Sequence, residues 1–171
     1  EAFAHARQTS EAIRDEDSLS LLMMNEAQLL DAEGASVENR LELIRRAWSL
    51  AARNGFAQVM TDAANAEAYT LAKIGEYDSA LEAVERAERA AQWSGRLMLR
   101  LAPQMCRANL AARRGRPDVA AEVFSQAIGQ AASDPVVEAH MRLLASVELA
   151  GHPAVHAQAL DHVDRVLAAM A

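Results

Sequence analysis

The sequence predicts an all-α fold, an array of about four helical hairpins with about nine antiparallel helices. Three observations predict it. Apolar residues make up 51% of the chain but aromatic ones only 4%, so Ala and Leu supply most of the apolar surface. Those two head the helix-propensity scale, whereas sheets favour β-branched and aromatic side chains. The chain also repeats itself at an offset of 40 residues, and a glycine separates two helical periods inside the repeat.

The repeat is clearest where Gly75, Asp78, Ala80 and Ala87 recur as Gly115, Asp118, Ala120 and Ala127. Forty residues before Ala87 stands Ala47, with Ile44 where Val84 and Phe124 stand in the later units. Gly151-His152-Pro153 echoes Gly115-Arg116-Pro117 at a shorter offset of 36. Such self-similarity is the signature of stacked supersecondary units.

In chain order the helices are expected at 2–14, 18–32, 37–53, 56–74, 77–93, 97–114, 117–131, 135–149 and 154–169. They group into units 19–54, 56–94, 97–132 and 135–170, preceded by an extra N-terminal helix within 1–16, in a single repeat domain spanning 1–171. Ala64, Ala68, Leu71 and Ala72 recur at helical spacing up to Gly75, and Ala80, Val84, Ala87 and Ala91 resume it afterwards. Gly75 and Gly115 suit the left-handed residue that ends a helix, and Pro117 suits a first turn. Asp134, before Pro135, is a cap. Pro103 falls inside an expected helix, which therefore starts near Ala102 or kinks there.

From Leu19 to Met170 the hairpins resemble the tetratricopeptide repeat, a helix-turn-helix unit of about 34 residues. Ala68 and Ala108 stand at the family's small first-helix position, Ala80 and Ala120 open the second helix, Val84 and Phe124 take its bulky position, and Ala87 and Ala127 close it. The family's first-helix Trp and closing Pro are absent, and the longer period resembles helical arrays of bacterial multidomain regulators. The resemblance implies a right-handed superhelical array whose first helices line a concave, partner-binding groove.

Counted back from the turn glycine, the groove-facing positions are Asn65, Tyr69 and Lys73 in one unit and Met105, Asn109 and Arg113 in the next. The last unit adds Met141 and Arg142, and the first adds Asn25 and Leu29. Lys73 and Arg113 are then expected near each other, where an ammonium and a guanidinium could attract a carboxylate. Asn65 and Asn109 could bond the main chain of a peptide. Both cations also sit in last turns, where the helix dipole favours them without any ligand.

No catalytic constellation is legible, and no enzyme is expected. Cys106 has no neighbouring base, and the chain lacks a Gly-rich phosphate loop and a Gly-x-Ser-x-Gly turn. His152 and His156 are four apart, but Pro153 follows the first and no H-E-x-x-H motif is present, so no metal or other cofactor is expected. The net charge of −7 argues against direct nucleic-acid binding. The single cysteine and the lack of a long apolar run point to a cytoplasmic protein off the membrane, and the start at Glu1 suggests a segment of a larger one.

The function expected is a non-catalytic scaffold for a protein or peptide with acidic groups, the sensory or assembly module of a bacterial regulator. Two alternatives are a small-molecule-sensing repeat domain and a dimerisation module for an attached effector. The second rests on Val155, Ala159, Val163, Val166 and Leu167, which give the last helix apolar surface that a second copy could cover in a homodimer.

Overall fold

The computed structural model describes residues 9–10, 15–34, 36–92 and 94–170, and among them it contains helices and no strand. Among the described residues, eight α-helices with both ends described follow one another: α1 (Glu16–Ala32), α2 (Val37–Asn54), α3 (Ala57–Lys73), α4 (Tyr77–Ala91), α5 (Leu97–Arg113), α6 (Pro117–Ala131), α7 (Pro135–Leu149) and α8 (His156–Met170). Their ends lie within two residues of those expected from the sequence. The extra helix within 1–16 lies largely outside the described residues.

The turns show why the boundaries are so legible. In the α3–α4 turn Gly75 has φ 83°. Its N–H donates to the Ala72 carbonyl at 3.2 Å, and the Glu76 N–H donates to the Leu71 carbonyl at 3.0 Å. This double closure satisfies two carbonyls that the helix end orphans, and it needs a residue that tolerates positive φ. Gly115, at φ 74°, repeats it through Ala112 and Ala111. Gly151 does not: its φ is not positive, the His152 N–H donates to the Leu149 carbonyl, and Pro153–Val155 form a single 3-10 turn before α8. Asp134 caps α7 by accepting from the Val136 and Val137 N–H groups.

Helix α5 runs unbroken through Pro103, with Leu97 as its first residue. Pro has no N–H, so the Leu99 carbonyl loses its usual intrahelical donor.

The chain divides into two compact units, Glu1–Ser94 and Gly95–Ala171. In the first, α1 packs on α2, α2 on α3 and α3 on α4, and α1 also touches α3. Its core includes Met23, Met24, Ala27, Ile44, Ala47 and Val59. In the second, α5, α6, α7 and α8 pack in the same sequential way, α5 also touches α7, and Leu101, Phe124, Met141 and Leu149 lie at the centre.

The 40-residue period is visible in burial. Ile44, Val84 and Phe124 are fully buried, as are Ala47, Ala87 and Ala127. A small residue lets a neighbouring helix approach closely, and the bulky one a turn earlier fills the space beside it.

Candidate functional site

The residues expected to face a groove fall into two sets, one per unit, and most are already engaged. In the first unit Lys73, at the end of α3, donates to both carboxylate oxygens of Asp31 on α1 at 2.8 Å. Arg40 of α2 bonds the same carboxylate. Asp31 therefore ties three helices together, and its pKa is held below the usual carboxylate value, first by the Lys73 hydrogen bond and then by the Arg40 charge. Lys73, a groove-facing candidate from the sequence, is thus already paired within the unit. Asn65 and Tyr69 are half-buried, and the Asn65 Oδ1 is buried without a donor. Asn25 and Leu29 of α1 are exposed.

In the second unit the correction is larger. Met141 is fully buried and Met105 nearly so, and both belong to the core instead of an open face. They lie in the core that α5, α6 and α7 share, where α5 and α7 touch. Asn109 is buried too: its amide donates to Glu148 of α7, and its carbonyl accepts from Arg113 Nε at 2.9 Å. It bonds a helix, not a peptide. Arg142 donates to a single oxygen of Glu138, Oε1, from Nε at 2.9 Å and Nη2 at 2.6 Å, and its Nη1 lies 3.3 Å from His162 Nδ1. Burial, then the Arg142 charge, lowers the His162 pKa from 6.5, and its Nε2 is buried without a partner. On α8 Ala159 and Val166 are buried, whereas Leu167 is exposed.

A polar constellation that sequence reasoning missed lies in the first unit, in a cavity lined by α2, α3 and α4. Glu67 of α3 is buried, its side chain 7% exposed, between two arginines. Arg45 of α2 donates from Nε to Oε1 at 2.8 Å, and Arg86 of α4 donates from Nη2 to Oε2. Taking a carboxylate out of water is costly unless its oxygens are both paired, and here each takes one guanidinium. Trp48 and Ser49 of α2 complete the lining of a cavity of about 240 Å³, and the Trp48 Nε1–H is buried without an acceptor. An unmet buried donor costs about 1–3 kcal/mol. The signal in the sequence was an acid inside an alanine run: Ala63, Ala64 and Ala68 are buried, and Glu67 shares their face.

Next to it lies a larger trough of about 560 Å³, with Arg45 and Ser49 in both walls. Leu19 and Met23 of α1 and Leu41 and Leu50 of α2 form its apolar lining, and Arg46, Arg53, Glu38 and Glu42 supply charge. Together the two cavities hold four arginines against three glutamates, a local excess of one positive charge on a chain of net charge −7.

Chemistry at the remaining candidates is limited. The Cys106 thiol is buried, and burial followed by the Glu148 charge pushes its pKa up to about 12, far from a thiolate nucleophile at neutral pH. His156 Nδ1 lies 3.1 Å from the Ala150 carbonyl. Among the described residues no group of three His, Cys, Asp or Glu side chains is placed to hold a metal ion. No described helix is long and apolar enough to cross a membrane. No family model matches the chain, and no curated protein matches it.

Proposed function

We propose that the chain is a non-catalytic binding module built from tetratricopeptide-like hairpins, the sensory or assembly part of a cytoplasmic bacterial regulator, and that it holds a protein or peptide partner. The observation that carries this reading is the trough on α1 and α2. It combines an apolar lining of Leu19, Met23, Leu41 and Leu50 with Arg45, Arg46 and Arg53. A partner with apolar side chains and acidic groups matches that surface, since interfaces couple an apolar centre to a charged rim. We place the binding surface at the trough because Met105, Asn109 and Met141 are buried.

The test places a photo-crosslinking residue at Ser49 in the trough or at Glu122, exposed on α6. Each is used in a lysate with and without the double charge reversal Arg46→Glu, Arg53→Glu, after circular dichroism has shown unchanged helicity. The expected result is one protein crosslinked from Ser49 and lost on charge reversal. Crosslinking from Glu122 alone, or indifference to the reversal, would move the interface off the trough.

A second reading, small-molecule sensing, is favoured by one observation. The trough volume of about 560 Å³ lies within the roughly 300–1,000 Å³ of small-ligand sites.

A further inference from the structure

We infer that the trough and the smaller cavity form one site for an amphiphilic monocarboxylate, with the carboxylate among Arg45, Ser49 and Trp48 and the apolar chain against Leu19, Met23, Leu41 and Leu50. This rests on the small-molecule reading of the trough. The two cavities share Arg45 and Ser49 as lining residues and so adjoin there, and the ligand we infer spans that edge.

The smaller cavity selects an acceptor. The indole N–H of Trp48 can only donate, and it is buried with nothing to donate to. Arg45 commits Nε to Glu67 and Arg86 commits Nη2, and a guanidinium carries five N–H donors, so each keeps donors after serving Glu67. The Ser49 hydroxyl adds another. Glu67 neutralises only one of the two arginines that hold it, so the cavity carries one positive charge. A single carboxylate balances that charge and satisfies the indole, whereas an ammonium would meet two guanidiniums.

The trough selects the rest of the ligand. Leu19, Met23, Leu41 and Leu50 line it together with the shared Arg45 and Ser49, so a hydrocarbon chain on a carboxylate held by Arg45 is removed from water there. Arg45, with a side chain 58% exposed, has the freedom to turn its outer nitrogens toward an arriving anion.

The test titrates the full chain with octanoate, octan-1-ol, octylammonium and hexanoate, by calorimetry and by following the Trp48 indole N–H resonance, assigned with Trp48→Phe. Octanoate should bind saturably at one equivalent and move the indole proton downfield. Hexanoate should bind on the order of fifteenfold more weakly, about fourfold for each of two lost methylenes. Arg45→Gln should weaken octanoate by about tenfold or more and leave octanol unchanged.

Octanol binding as tightly as octanoate, or octanoate binding equally well to Arg45→Gln with the indole unmoved, would overturn the carboxylate site and leave the small-molecule reading intact. No binding by any of the four would overturn both.

Discussion

Glu67 offers the sharpest test of how the first unit is held together. Its carboxylate is 7% exposed, while its partners Arg45 and Arg86 are 58% and 31% exposed. Glu67→Gln keeps the shape and one acceptor oxygen but removes the charge, leaving two guanidiniums facing a neutral amide. Removing one partner of a fully buried pair costs about 3–5 kcal/mol. Both arginines here keep part of their hydration, so the expected loss is smaller, about 1–3 kcal/mol. Double-mutant cycles should then divide the pairs. Coupling to Arg45 should fall at about 0.2–1 kcal/mol, as for exposed ion pairs, and coupling to Arg86 at about 1–2 kcal/mol, between the exposed and buried limits. The assay is urea unfolding followed by tryptophan fluorescence and by circular dichroism, whose coincidence tests for a single transition. Glu67→Met, which removes the remaining acceptor as well as the charge while both arginines stay, should lose at least as much as Glu67→Gln. Coupling to Arg45 equal to or above that to Arg86, or Glu67→Gln within about 0.5 kcal/mol of the parent, would refute the reasoning.

Three further outcomes follow from local geometry. Gly75→Ala should lose about 1–2 kcal/mol because its φ of 83° crowds a Cβ against its own backbone. Gly129→Ala, inside α6 with open space around it, should gain about 0.5–1 kcal/mol; urea midpoints that shift in the same direction would contradict this. His162 has a folded pKa below its ordinary 6.5, owing to burial and then to Arg142, so the unfolded chain takes up a proton before the folded one does. Its contribution is present above about 6.5 and is lost as pH falls toward the folded value, so the parent should lose stability more steeply than His162→Gln between pH 7.5 and 5.5. Equal slopes would exclude His162 as the source. The Cys106 thiol, buried and with a pKa raised to about 12, should react with iodoacetamide at pH 8 only as fast as the chain opens, and labelling as fast as that of a free thiol would show otherwise.

The helices and their ends were legible because they depend on neighbours in sequence. Gly75 and Gly115 close helices by bonds to carbonyls three and five residues back, and Asp134 caps by reaching two and three residues ahead. The buried triplets Ile44, Val84, Phe124 and Ala47, Ala87, Ala127 follow from the 3.6-residue period and the 40-residue repeat, both written in the chain. Even the breakdown at Gly151 was foreshadowed by its shortened offset of 36.

The site was legible only in part, for the opposite reason. Periodicity assigns a residue to a helix face, but what covers that face is decided by helices far along the chain. Met105 and Met141, expected on a groove, are buried in the core that α5, α6 and α7 share. Lys73 meets Asp31, 42 residues away, and Asn109 meets Glu148, 39 away. The smaller cavity depends on Arg45, Glu67 and Arg86, each unremarkable in its own helix, meeting across α2, α3 and α4, and the trough on α1 lying against α2. The sequence by itself determined the all-helical hairpins, their turns and their small-residue packing positions, because short-range backbone bonding and helical period set them. Tertiary structure alone decided which charges are paired, which donor is left unmet and where apolar surface stays open, because burial and ion pairing depend on helix neighbours that local sequence does not specify.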